Sequence, residues 1–111
     1  MNSSLFKPEI SQLQADMCSV FADPIRILIL YTLHESPRNV TELANRVGIP
    51  QPTASRHLKI LRDHGAVQTM RNGVSVTYSL ADDRMIEFLE LLRVVLHDTI
   101  TNKANLISEK N

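Results

Sequence analysis

The sequence predicts a mainly α-helical domain carrying a small β-hairpin, an α+β arrangement of the winged helix-turn-helix type. Three observations lead to it. Two short helical patterns, one over Val40–Val47 with its stop at Gly48 and one running on to Gly65, meet across a tight turn at Ile49-Pro50. After Gly65 the hydrophobic period changes from helical to two. Asn72-Gly73 then divides the β-prone stretch in half.

Each element has its own signature. Glu9 to Ala22 places Ile10, Leu13, Met17, Val20 and Phe21 on one broad helical stripe. Pro24 to Glu35 carries Ile25, Ile27, Leu28, Ile29, Leu30 and Leu33, so many apolar residues that this helix is expected to be largely buried and to form the hub of the core. The third helix shows Val40, Leu43, Ala44 and Val47 and stops at Gly48, where glycine tolerates a positive φ. Pro50 and Pro52 are acceptable at the start of the fourth helix, because a first turn has spare N–H groups.

The hairpin follows directly. Val67, Thr69 and Arg71 alternate with Gln68 and Met70, and Val74, Val76, Tyr78 and Leu80 alternate with Ser75, Thr77 and Ser79. Asn-Gly between such runs is expected to form a type I′ turn over Asn72 and Gly73, since both residues accept left-handed angles. From Asp82 a long helix begins with acids in its first turn, favourable to the helix dipole. It bears Met85, Ile86, Phe88, Leu89, Leu91, Leu92, Val94, Val95, Leu96 and Ile100. Apolar residues on more than one of its faces need more than one partner, and the first and last helices are therefore expected to join two copies of the chain.

Length and composition set the outer bounds. A chain of 111 residues suits one domain whose modest core gains from pairing with a second copy. The expected layout is a flexible N-terminus over 1–8, the folded domain over 9–103 and a tail over 104–111. No apolar run approaches the roughly 20 residues of a membrane span, and no signal-peptide stretch opens the sequence, so a cytoplasmic protein without membrane contact is expected. The single cysteine, Cys18, forms neither an internal disulfide nor a multi-thiolate metal site, which fits a reducing compartment.

Net charge is zero, but its distribution is uneven. Residues 38–71 hold Arg38, Arg46, Arg56, Lys59, Arg62 and Arg71 against Glu42 and Asp63, a local charge of +4, while each flank carries −2. A basic centre between acidic flanks suits a polyanion held in one orientation. The fourth helix shows how. At about 100° per residue, Ala54, Leu58 and Leu61 share one stripe with His57 at its edge, while Gln51, Ser55, Arg56, Lys59 and Arg62 spread over the other side. One face packs and the other is polar and cationic.

Double-stranded DNA is the polyanion that this geometry fits. Gln51 and Thr53 lie near the helix start, where base edges are reached, and Gln51 can pair bidentately with adenine. Ser55, Arg56 and Lys59 belong to the same face; His57 either packs or donates to a phosphate. Arg62 and Arg46 are expected at the DNA backbone or paired with acids. Arg71 at the wing tip reaches a phosphate or the minor groove, and Asn72, Gly73 and Ser75 let the backbone approach closely.

These blocks resemble the ArsR/SmtB family of winged-helix repressors: Phe21-Ala22-Asp23-Pro24-Ile25-Arg26-Ile27-Leu28-Ile29-Leu30, Val40-Thr41-Glu42-Leu43-Ala44, Pro52-Thr53-Ala54-Ser55-Arg56-His57-Leu58-Lys59-Ile60-Leu61 and Tyr78-Ser79-Leu80. The resemblance spans about residues 10 to 100. It implies a homodimeric repressor that binds an imperfect inverted repeat and releases it when an effector binds. Many members sense metals, and this chain departs from both of their common sites. Asn39 and Thr41 stand where the thiolate motif of the third helix has cysteines, and Asp82, Arg84, Val95 and Asp98 stand where the last-helix site needs an Asp, two histidines and a His or Glu. His97 is adjacent but has no companion ligands. No metal and no cofactor is expected, and the residues name no small-molecule effector.

Cys18 has two readings. It is a small buried apolar residue of the first helix, or a redox-active thiol that bridges subunits or is modified, which requires exposure. Oxidant-responsive relatives use a second cysteine that is absent here. Two other functional classes stand beside DNA binding. A winged helix can serve as a protein-interaction module, with its polar face on an acidic partner. An enzyme is disfavoured, because His34, His57, His64 and His97 are scattered over separate elements with no nucleophile, carboxylate pair or phosphate loop beside them.

Overall fold

The computed structural model describes residues 7–110, and positions 1–6 of the expected N-terminal arm lie outside them. Seven elements follow in order: α1 (Pro8–Val20), α2 (Pro24–Glu35), α3 (Val40–Val47), α4 (Gln51–Asp63), β1 (Val67–Asn72), β2 (Ser75–Leu80) and α5 (Arg84–Lys110). The winged helix-turn-helix arrangement read from the periodicity is present.

α1 ends two residues earlier than its apolar stripe suggests, and the reason is Asp23. That residue takes an extended conformation, φ −150° and ψ 126°, so that its carboxylate accepts from the backbone N–H groups of Ile25 and Arg26 at the start of α2. Capping an N-terminus in this way satisfies donors that no intrahelical carbonyl can reach. Pro24 follows at the first helical position, where its missing N–H costs nothing.

α3 begins with a capping box. The Asn39 side chain accepts from Glu42 N at 2.8 Å, and the Glu42 carboxylate accepts from Asn39 N at 3.1 Å. It ends at Gly48, whose φ of 83° lets the N–H groups of Gly48 and Ile49 both return to the Ala44 carbonyl. The chain is thereby aimed through Pro50 into α4.

The core gathers around α2. Ile29, Leu30 and Leu33 pack with Val20, Leu43, Leu58, Leu61, Ala66, Val67, Ile86 and Leu89. Truncating a fully buried leucine such as Leu58 to alanine would cost roughly 2–5 kcal/mol. α2 is less enclosed than its composition suggests, however: Ile25 and Ile27 are only half-buried and Leu28 is 52% exposed.

β1 and β2 pair antiparallel in the register Val67↔Leu80, Thr69↔Tyr78, Arg71↔Val76 and Asn72↔Ser75. The last pair overturns the expected turn. Asn72 closes the ladder from within β1, so the loop is Gly73-Val74. Only glycines have positive φ among the described residues, with Gly73 at 66°, which excludes a type I′ turn over Asn72-Gly73 and matches the type II′ pattern of glycine at the first central position. A further rung joins the hairpin to the linker before α3: Arg38 N donates to Tyr78 O at 3.0 Å and Tyr78 N to Arg38 O at 2.8 Å.

α5 starts at Arg84 rather than Asp82, because Asp82 and Asp83 serve as acceptors outside the helix: Asp82 Oδ1 takes Arg84 N, and Asp83 O takes Ile86 N. The helix continues through residues 104–110, where Leu106 and Ile107 are exposed. No described helix is long and apolar enough to cross a membrane.

Candidate nucleic-acid interface

The two faces of α4 separate as the periodicity predicts. Ala54, Leu58 and Leu61 are wholly buried, while Gln51, Ser55, Arg56, Lys59 and Arg62 are exposed and Thr53 is half-buried. Burial of the apolar stripe fixes the roll of the helix, and that roll aims the polar side chains outward. Lys59 Nζ lies 3.0 Å from Asp63 Oδ2, a loose exposed pair that costs little to break. Among the described residues no carboxylate pairs with Arg56 or Arg62. Two basic residues outside α4 behave differently: Arg46 and Arg38 both approach Glu35, at 3.2 Å and 3.7 Å.

His57 does not belong to the outward face. It is 5% exposed, with Nδ1 3.3 Å from Arg26 Nη1. Since an arginine only donates, Nδ1 is the acceptor and the imidazole is the neutral tautomer with its proton on Nε2. Burial pushes its pKa below the usual 6.5; Arg56 and Arg26 add to that, and Asp23 opposes it. This histidine packs, and its assignment to DNA contact is corrected accordingly.

Arg26 is the functional-motif residue that sequence reasoning missed. It also donates from Nε to Val20 O at 2.7 Å and from Nη2 to Ser19 O at 3.1 Å, satisfying the C-terminal carbonyls of α1. One guanidinium thus holds the end of α1, the start of α2 and the inner side of α4 together. The signal available in the sequence was the Asp23-Pro24-Ile25-Arg26 block, in which a cap residue precedes an arginine by three.

A cleft of about 370 Å³ separates α4 from the wing, lined by Asn39, Thr41, Ser55, Ser75, Val76 and Tyr78 among others. Arg71 and Asn72 are exposed on β1, and Val74 at the tip is 99% exposed. Gln51, the first residue of α4, donates from Nε2 to Thr41 Oγ1 at 2.7 Å. The recognition face is therefore anchored at its leading end to α3.

The positions compared with metal sites hold other bonds. Asn39 caps α3, and Thr41 takes the Gln51 amide. Arg84 grips Asp82 through Nε at 3.1 Å and Nη2 at 2.6 Å, and these bonds with the Arg84 backbone N–H bring the Asp82 carboxyl down to about 2. His97 Nδ1 faces only Asp98 Oδ1, at 3.6 Å. Among the described residues no three His, Cys, Asp or Glu side chains gather at metal-binding distance.

Cys18 is exposed within the chain, which overturns its reading as a buried core residue. It lines an apolar groove of about 530 Å³ with Met17, Phe21, Met85 and Phe88. The rings of Phe21 and Phe88, two of its lining residues, pack in a tilted pair with centroids 5.5 Å apart.

The family described as bacterial regulatory protein, arsR family, matches residues 23–69, from the Asp23 cap to the middle of β1. Over 77 residues the chain is 42% identical to the HTH-type transcriptional repressor SmtB of Mycobacterium tuberculosis; the match covers 69% of this chain and 57% of that repressor, little more than half its length. The crystal structure of NolR from Sinorhizobium fredii superposes with a TM-score of 0.74 at 33% identity, covering 86% of this chain and 96% of that one. A homodimeric winged helix-turn-helix DNA-binding domain from Mycobacterium bovis, described as a possible ArsR-family transcriptional regulator, superposes with a TM-score of 0.75 at 26% identity, covering 88% of this chain and 91% of that one. The family match falls on the elements that build the outward face of α4, the structural match extends over nearly the whole fold, and the chain belongs to the ArsR/SmtB family of winged-helix regulatory proteins.

Proposed function

We propose that the protein is a sequence-specific DNA-binding transcriptional regulator, a homodimeric repressor on an inverted-repeat operator. The single observation behind this is the outward face of α4, where Arg56 and Arg62 stand exposed without carboxylate partners, Ser55 shares a cleft with the wing, and the opposite stripe is locked into the core. An unpaired guanidinium on a rigid helix meets a phosphate without first giving up another bond, and α4 has the width to enter a major groove. Arg71 and Asn72 on the wing reach the flanking backbone or minor groove.

Two copies present two such helices, so a two-fold operator is the natural match. The related Mycobacterium bovis domain is homodimeric, and the exposed apolar residues of α5 supply a surface for the same association here. A regulator works where its DNA is, which puts the protein in the cytoplasm. Its role is binding rather than catalysis. The effector is not a metal held at either common family site, given Asn39, Thr41, Arg84 and Val95 at those positions.

The test is fluorescence anisotropy of the purified protein on duplex DNA from upstream of its own gene and on a scrambled duplex, over several salt concentrations. Preference for the native duplex is expected, with a linear log–log salt dependence. Arg56→Ala with Lys59→Ala should weaken binding and flatten the slope by about one unit per lost phosphate contact. Equal weak binding to both duplexes would move the polar face to a protein partner.

A further inference from the structure

We infer that Thr41 is a positioning residue for base readout: by accepting the Gln51 amide at 2.7 Å, it holds the carboxamide in one place with Oε1 and the second N–H left free, the pair that reads adenine. The inference rests on the DNA-binding function proposed above and names what part of the operator that function reads.

Gln51 is the first residue of α4, preceded by Pro50 as the N-cap, and its side chain is exposed. A free glutamine at such a place samples many rotamers, and its carboxamide presents oxygen and nitrogen with equal ease. Here one N–H is committed to a hydroxyl on the neighbouring helix. What remains is Oε1 as an acceptor and the second N–H as a donor. That pair is complementary to the N6–H donor and N7 acceptor that adenine shows in the major groove.

Thr41 can hold this position because it does not move with Gln51. It lies in α3, one residue after Val40, in a helix fixed by the Asn39–Glu42 capping box and by burial of Leu43 and Ala44. The adjacent cleft brings Thr41 and Ser55 to one side of the interface, so the residue is placed beside the reading surface rather than behind it. Pre-ordering the side chain also removes rotamer entropy that would otherwise be lost on binding.

The test is selection of bound duplexes from a random library by the full-length wild type, Thr41→Val, Thr41→Ser and Gln51→Ala, with salt slopes measured on the selected site. Valine keeps the shape of threonine without the hydroxyl, and serine keeps the hydroxyl. The wild type is expected to enrich adenine at one position in each half-site. Gln51→Ala and Thr41→Val should both lose that enrichment, by about tenfold in relative affinity. Thr41→Ser should keep it, and the salt slope of Thr41→Val should stay that of the wild type, since no phosphate contact is removed. Unchanged adenine preference in Thr41→Val alongside its loss in Gln51→Ala would overturn the role of Thr41. No change in Gln51→Ala would overturn readout by Gln51 itself. A wild type that enriches no sequence would instead refute the DNA-binding function, and the inference with it.

Discussion

Arg26 of α2 donates to Nδ1 of His57 of α4 across 3.3 Å, so the helix that would read DNA is fastened from behind to the helix at the centre of the core. The bond exists only while His57 is neutral at Nδ1. Protonation would place two cations side by side in a partly buried site, with the arginine unable to yield its charge. Asp23 lies close enough to favour the charged imidazole, but burial and the two arginines outweigh it.

Stability should therefore fall as the solution is acidified through the histidine range. His57 is shifted below its ordinary 6.5, so over the interval between its unfolded and folded values the unfolded chain takes up a proton that the native chain refuses. The contribution is complete above the unfolded value and is lost as pH drops through the folded one. Asp23 acts in a lower window: burial raises its pKa, but the N–H groups of Arg26 and Ile25 together with the charges of His57 and Arg26 hold it below 3.8, so its contribution is lost only in stronger acid. Thermal melts from about pH 7 down to about pH 5 should show a falling Tm for the wild type. His57→Asn keeps an acceptor near Nδ1 and cannot titrate, so its Tm, whatever its absolute value, should vary less over that range. Parallel curves for the two proteins would assign the loss to other groups.

The wing supplies a sharper contrast between neighbours. Gly73 holds φ at 66° whereas Asn72 sits in β1 opposite Ser75. Gly73→Ala must place a Cβ in the left-handed region at a cost of about 1–2 kcal/mol, and amide exchange across β1 and β2 should quicken by about tenfold as the hairpin opens locally. Asn72→Ala should leave exchange within about twofold of wild type, because nothing in a strand position requires asparagine. Comparable acceleration in both variants would restore the type I′ turn over Asn72 and Gly73.

That turn marks the boundary of what the sequence discloses. Element identity followed from periodicity and caps: the stripe of Ala54, Leu58 and Leu61 is buried, and Gly48 ends α3 with the positive φ it was assigned. Register did not, because Asn-Gly is compatible with two loops one residue apart, and the choice is made by which cross-strand pairs fit, such as Thr69 with Tyr78 and Val67 with Leu80. Single-residue burial was also partly hidden. His57 lies at the margin of its stripe, where a few degrees of helix roll decide between core and solvent, and its partner Arg26 is 31 residues away in sequence. Cys18 was misplaced for the opposite reason: α1 covers the core only at its C-terminal end, so Val20 is buried while the thiol two residues before it is exposed. The Thr41–Gln51 contact depends on the angle between α3 and α4, which no local pattern encodes.

The last helix carries the remaining prediction. One side of α5 faces α2, where Leu89, Leu92 and Leu96 line a groove with Ile27 and Tyr31, and Arg93 stands 5.0 Å over the Tyr31 ring. Leu91 and Val95, four residues apart and therefore on one stripe, are 63% and 53% exposed. Each such side chain gains about 1.5–3 kcal/mol when fully buried, which a second copy of α5 would supply. The wild type should run at twice the chain mass in light scattering, and Leu91→Glu with Val95→Glu should bring it to a single chain mass, with its helical circular dichroism retained because neither residue is in the core. Operator affinity should fall by about 10²- to 10⁴-fold once two recognition helices no longer bind together. Leu28→Glu, on an exposed part of α2, is the control and should leave the mass unchanged. A doubly substituted protein that stays dimeric would move the interface away from this stripe, and a monomeric wild type would remove the two-fold operator from the proposed function.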